Sequence, residues 1–137
     1  MAGLENTTNG TKGTILLVDD ETLVRELVGE LLTDAGYTVI EAEDGQKGLE
    51  AYRRQPVNLV VSDVIMPKMD GVEMYRAIKG INPNARAVFI SGNPGQQRDN
   101  LMRLVEAREA VFIQKPIGDF PALVATVNKM YKGQQNL

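Results

Sequence analysis

Three kinds of reactive side chain, carboxylate, hydroxyl and ammonium, stand at the ends of four short apolar runs in this sequence. Asp63 follows Leu59-Val60-Val61-Ser62, and the pair Asp19-Asp20 follows Thr14 to Val18 (TILLV). Ser91 follows Ala85 to Ile90 (ARAVFI), and Lys115 comes just after Ala110 to Ile113 (AVFI). A carboxylate at the tip of a buried run is badly solvated unless it has a partner or a task. Three carboxylates brought together raise one another's pKa and call for a counter-charge. A hard divalent cation such as Mg²⁺ meets that need, because it takes oxygen ligands and keeps several waters. Two acids for a metal, a central acid, a hydroxyl and an ammonium form a set suited to phosphoryl transfer. Asp63 would be the nucleophile, with the metal and Lys115 neutralising charge on the transferred group.

These groups can act together only if the elements between them fold so that the tips converge. The run from Thr14 to Val18 reads as a buried strand. Leu23, Val24, Leu27, Val28, Leu31, Leu32 and Ala35 then follow helical spacing, with the leucines read as core, closed by Gly36. Tyr37 to Ala42 reads as a second strand, and Asp44 as the cap of a helix whose buried side is Leu49 and Tyr52. After the third strand, Pro67 and Asp70-Gly71 mark a turn into a short helix over Gly71 to Lys79. The run ending at Ile90 leads through Asn93-Pro94-Gly95 to a helix over about Gln97 to Glu109, with a thin apolar side. A last strand ends near Lys115-Pro116, and Asp119 caps a final helix with Leu123, Val124, Val127 and Met130 on its apolar side.

Alternating strands and helices with near-continuous apolar strands predict an α/β fold with a parallel sheet covered on both faces. Five strands fit the doubly wound, flavodoxin-like order 2-1-3-4-5. In that order strands 1 and 3 are neighbours, and ligands bind outside their carboxyl ends. Asp19, Asp20 and Asp63 all fall there. Residues 1–13 (MAGLENTTNGTKG) read as a flexible lead-in, 14–132 as the domain, and 133–137 as a polar tail.

Composition narrows the chemistry further. With 137 residues the chain is long enough for one domain with a real core. It contains no Cys and no His, so thiol chemistry, thiolate metal sites and a phosphohistidine of its own are excluded. A net charge of −3 supplies no basic stripe for nucleic acid. No apolar run is long enough to cross a membrane and the start has no signal-peptide core, so the expected setting is cytoplasmic.

From about Thr14 to Tyr131 the chain resembles the receiver domains of two-component response regulators, the chemotaxis-type single-domain family. The motifs that carry the resemblance are LLVDDE, SDVIMPKMDG, FISG and FIQKP, in that order. The resemblance implies phosphorylation of Asp63 by a histidine kinase or a His-containing phosphotransfer protein. It implies Mg²⁺ held by Asp19, Asp20, Asp63 and the backbone carbonyl of Ile65. It makes Ser91 the switch hydroxyl, Phe112 the switch aromatic and Lys115 the contact to the phosphoryl oxygens, with a cis bond to Pro116. Output would pass to a protein partner through the face made by helix 4, strand 5 and helix 5. FISG and FIQKP are also similar to receivers of hybrid histidine kinases. Two departures stand out: Ala107-Arg108-Glu109-Ala110 where the family often has Gly-Ala, and Gly92 after Ser91.

Other readings compete. Asp19 and Asp20 could cap the first helix, Asp70-Gly71 reads as turn chemistry alone, and Phe112 is a core residue first. A phosphorylation-independent docking module would keep the fold without using Asp63. An aspartate-nucleophile phosphatase of the haloacid-dehalogenase kind would need an acid two residues after the nucleophile, where this chain has Ile65. The expectation is therefore a signalling switch and not an enzyme.

Overall fold

Five apolar runs pair into one parallel sheet. The structure is a computed structural model and describes residues 12–135; most of the expected lead-in, residues 1–11, lies outside the described residues. In chain order the elements are β1 (Thr14–Val18), α1 (Thr22–Asp34), β2 (Thr38–Ala42), α2 (Gly45–Arg54) and β3 (Leu59–Ser62). They continue as α3 (Gly71–Ile81), β4 (Ala87–Ser91), a 3-10 turn (Gly95–Gln97), α4 (Arg98–Glu106), β5 (Ala110–Gln114) and α5 (Phe120–Gln135). The strand order is β2-β1-β3-β4-β5 with every pair parallel, the doubly wound order expected from the sequence.

Alternation along each strand divides the core between two faces. Ile15, Leu17, Leu59, Val61, Val88 and Ile90 face Val28 and Leu32 of α1 and Leu123 and Val127 of α5. Leu16, Val18, Val60, Ala87 and Phe89 face Leu49 of α2, Val72, Tyr75 and Ile78 of α3 and Leu101 of α4. Because both faces are covered, the central strands can be apolar at every position, which is why they read as unbroken runs. Tyr75 is fully buried, and its hydroxyl donates to the Ala85 carbonyl at 2.6 Å, so the one polar atom on that ring is satisfied.

The helix ends are set by local chemistry. Asp44 Oδ1 accepts the Lys47 amide at 2.8 Å, and Asp119 Oδ1 accepts the Ala122 amide at 2.9 Å. Asp70 does more than turn the chain: its Oδ1 accepts the Glu73 amide at 2.8 Å, while Glu73 Oε1 accepts the Asp70 amide at 3.0 Å. This is a capping box, and D-x-x-E was readable as one.

Three expectations are corrected. Leu23 and Leu27 share the helical spacing of α1, yet Leu23 is 81% exposed and Leu27 39% exposed. Spacing identifies a stripe but not how much of it the sheet can cover. Helix α4 stops at Glu106, short of Glu109, because Arg108 takes a left-handed conformation (φ 62°). Helix α5 runs through Gln135, so residues 133–135, expected as tail, are helical. A single Gly133 costs a helix only about 1 kcal/mol and does not end it.

Candidate functional site

Strands β1 and β3 lie side by side with Val18 opposite Ser62, so the residues that follow each strand emerge together. The ladder continues one step past the strands: the Asp63 amide donates to the Val18 carbonyl at 2.9 Å, and the Asp19 amide to the Ala42 carbonyl at 3.2 Å. Both acids are thereby fixed at the sheet's carboxyl edge. Gly71, at the start of α3, lets that helix pack on the backbone of Asp63. A Cβ there would lie 2.1 Å from the Asp63 carbonyl oxygen, so any larger residue would push the helix away.

Each buried acid divides its two oxygens between backbone and ammonium. Asp63 Oδ1 accepts the Val64 amide at 2.6 Å, and Oδ2 lies 2.9 Å from Lys115 Nζ. Asp19 Oδ1 accepts the Glu21 amide at 2.9 Å, and Oδ2 lies 3.1 Å from the same ammonium. Glu21 Oε1 approaches Lys115 Nζ at 2.5 Å from the solvent side. Asp19 therefore binds the backbone just before α1 without capping the helix in the usual way, since it takes the amide of the N-cap residue Glu21 itself.

Burial opposes the charge on Lys115, but hydrogen bonds to Glu21, Asp63 and Asp19 overcome it and hold its pKa above the ordinary lysine value. For Asp19 burial wins. Its pKa is pushed above the ordinary carboxylate value, against the pull of the Glu21 amide and of Lys115.

Asp20 is exposed, and its carboxylate joins those of Asp19 and Asp63 with ligand oxygens all within 4.8 Å of one another. Such a set fits Mg²⁺ in two respects. All donors are hard carboxylate oxygens, and one member faces solvent, which leaves room for retained waters.

The remaining candidates sit around this centre. Ser91 is buried at the end of β4, and its carbonyl accepts the Lys115 amide at 3.0 Å. The Lys115–Pro116 peptide bond is cis. Phe112 pairs in register with Phe89, is half-buried, and lines a groove of about 680 Å³ between α4 and α5 with Met102 and Val105. Ile65 is about half exposed, with its side chain against Gly95 of the β4–α4 connection. A second groove of about 510 Å³ opens beside Lys115, walled by Val24, Leu27, Ile117 and Phe120.

Residues 15–128 match the response regulator receiver domain. The chain belongs to that family. It is 33% identical over 119 residues to the chemotaxis protein CheY of Thermotoga maritima, covering 86% of this chain and 97% of that one. It is 36% identical over 104 residues to a cyclic di-GMP phosphodiesterase of the same organism, covering 76% of this chain but only 27% of that longer protein. Among solved structures, the response regulator TrrA of Thermotoga maritima, in complex with Mg(2+)-BeF, superposes with a TM-score of 0.73 at 28% identity. It covers 86% of this chain and 98% of that one.

In this receiver domain the structure brings the carboxylates of Asp19, Asp20 and Asp63 together, pairs Lys115 with Asp19 and Asp63, and ties Ser91 to Lys115 through its carbonyl. Two residues that sequence reasoning passed over join them. Glu21 shares Lys115, and its adjacency to the acid pair was a usable signal. Arg25 donates to the Asp19 carbonyl at 2.6 Å, and only the fold shows that. Among the described residues no helix is long and apolar enough to cross a membrane.

Proposed function

We propose that Asp63 is the phosphoacceptor of this receiver domain. The observation that carries the reading is the placement of Asp63: buried, beside two further acids and 2.9 Å from an ammonium whose raised pKa keeps it charged at neutral pH. A carboxylate oxygen of Asp63 attacks phosphorus, the bond between phosphorus and the donor nitrogen breaks, and an acyl phosphate forms. Having no His, the chain draws that group from a histidine kinase or a His-containing phosphotransfer protein. Asp19, Asp20 and Asp63, with the Ile65 backbone carbonyl, would hold Mg²⁺, which supplies positive charge for the phosphoryl oxygens. Lys115 supplies the second positive charge and Ser91 the hydroxyl that turns toward the new group.

The added charge biases a two-state element. Phe112, on the floor of the α4–α5 groove, is the aromatic that follows, and the α4–β5–α5 face carries the output to a protein partner. The donor must pass over the rim of Asp63, where Leu27 and Phe120 wall the groove beside Lys115 and Leu23 stands exposed on the same helix α1. We assign that rim to the helical, phosphohistidine-bearing donor. In this reading the domain turns over no substrate of its own, and it works in the cytoplasm, where ATP-dependent kinases are charged.

The test is intact-mass analysis after incubation with Mg²⁺ and acetyl phosphate. One phosphoryl group on the wild type and none on Asp63→Asn is the expected result. An adduct on Asp63→Asn, or none on the wild type, overturns the assignment.

A further inference from the structure

The acid pair hangs from a peptide unit that is held from behind. The Asp19 amide donates to the Ala42 carbonyl at 3.2 Å, which fixes one side of the residue. On the other side, Arg25 Nη1 donates to the Asp19 carbonyl at 2.6 Å. That carbonyl belongs to the peptide joining Asp19 to Asp20, so whatever orients it sets where both carboxylates point. Arg25 is itself held: its Nε lies 3.1 Å from Glu41 Oε1 on β2, and its side chain is only 16% exposed.

Glu41 reaches Arg25 because helix α1 makes room for it. Gly29 lies one turn after Arg25 on the same side of the helix and is buried. A Cβ at Gly29 would come within 3.0 Å of Glu41 Oε2. Glycine inside a helix is less stable than alanine, so its presence here needs a reason, and the passage of Glu41 supplies one. Gly29, Glu41, Arg25 and the Asp19 carbonyl thus form a strut from the edge strand to the site. None of its side chains is used by the phosphoryl chemistry.

We propose that Arg25, clamped by Glu41, is a positioning residue that presets Asp19 and Asp20 for the divalent cation. This rests on the metal reading of the site given above. A guanidinium that acted only through its charge would repel the cation, so removing it would tighten binding. A guanidinium that positions the ligands does the reverse, since partners outside the ligand set orient the groups that bind.

The experiment is calorimetric Mg²⁺ titration of the full chain, with thermal melting of each variant in metal-free buffer. For Arg25→Gln the Mg²⁺ Kd is expected to rise about tenfold. Glu41→Gln should do the same, and the double variant should be no worse than either single one, as for two parts of one strut. Arg25→Lys, which can make only one of the two contacts well, should fall between. Gly29→Ala is the decisive control: it should melt no lower than the wild type yet bind Mg²⁺ more weakly. Unchanged or tightened Mg²⁺ binding in Arg25→Gln and Gly29→Ala overturns the strut while leaving the metal site standing. No Mg²⁺ uptake by the wild type overturns the metal reading, and the strut with it.

Discussion

Lys115 Nζ lies 2.9 Å from Asp63 Oδ2 and, through the same ammonium, also reaches Asp19 and Glu21. Before any phosphoryl group or cation arrives, one lysine supplies the counter-charge for three acids. The fold thus tolerates buried carboxylates at its strand tips, and the same acids remain available to a metal that competes for them.

Removing that ammonium should cost more than removing an ordinary surface lysine. Lys115→Met leaves Asp19 and Asp63 buried without their partner, and breaking a buried pair costs about 3 kcal/mol. The loss should be largely restored by Mg²⁺, which replaces the missing positive charge. Mg²⁺ should raise the Tm of the variant more than that of the wild type. In the wild type the pKa of Lys115 is raised on folding, so its stabilisation is fully present below the ordinary lysine value and is lost only as pH climbs through the raised one. Equal Mg²⁺ shifts in the two proteins would show that Lys115 does not stand in for the cation.

Asp19 behaves in the opposite sense to most acids in stable proteins. Its folded-state pKa lies above the ordinary carboxylate value because burial outweighs its hydrogen bonds. In the window between those two values the native state binds more protons than the unfolded state, so stability falls as pH rises. At neutral pH without metal, the ionised Asp19 is a net burden on the fold. Asp19→Asn should therefore melt higher than the wild type at pH 7 in metal-free buffer. The gain should vanish below the ordinary carboxylate range, where both states are protonated. A variant that melts lower at pH 7, or whose advantage persists in acid, would contradict this account. Its Mg²⁺ affinity should drop in either case.

The contrast between what could and could not be read in advance follows from the range of the interactions. Asp19, Asp63 and Lys115 were legible because each ends an apolar run, and a parallel sheet brings such ends together. Asp44 and Asp119 were legible as caps because a cap acts over three residues. The Arg25–Glu41 pair was not, because sixteen residues and a strand crossing separate its members. Leu23 was misplaced because helical spacing cannot say how much of an apolar stripe the sheet covers. Arg108 gave no warning at all, since arginine does not signal a left-handed turn.

That last residue can be tested directly. Helices α1 and α4 end in the same way. Tyr37 N–H bonds to the Leu32 carbonyl and Gly36 N–H to that of Thr33; Glu109 N–H bonds to the Leu104 carbonyl and Arg108 N–H to that of Val105. Gly36 and Arg108 hold equivalent left-handed positions (φ 106° and 62°), but only one of them is glycine. The left-handed conformation costs an L-residue roughly 1–2 kcal/mol, partly offset by the greater chain entropy that glycine loses on folding. Arg108→Gly should therefore stabilise the domain by about 0.5–1 kcal/mol, read as a higher urea midpoint with unchanged slope. Acetyl phosphate labelling should be unaffected, because Arg108 lies far along the sheet from the acids. A lower midpoint would mean that the Arg108 side chain contributes more than its backbone costs.

The exposed leucine on α1 separates chemistry from docking. Leu23 is 81% exposed and adds little to the core, so Leu23→Ser should change stability by no more than about 0.5 kcal/mol. Acetyl phosphate needs only the acids and Lys115, and its labelling rate should stay at the wild-type value. On the proposed reading a phosphohistidine-bearing protein also rests on the rim around Lys115, where Leu27 and Phe120 offer apolar area and Leu23 stands exposed on the same helix. Losing one such anchor typically costs an interface about 1–2 kcal/mol, which is roughly a five- to thirtyfold weaker encounter. With a purified phosphotransfer domain that labels the wild type, Leu23→Ser should show a raised half-saturating donor concentration and a nearly unchanged maximal rate. A fall in the maximal rate alone would place Leu23 in the chemistry, and no change in either quantity would move the donor to another face.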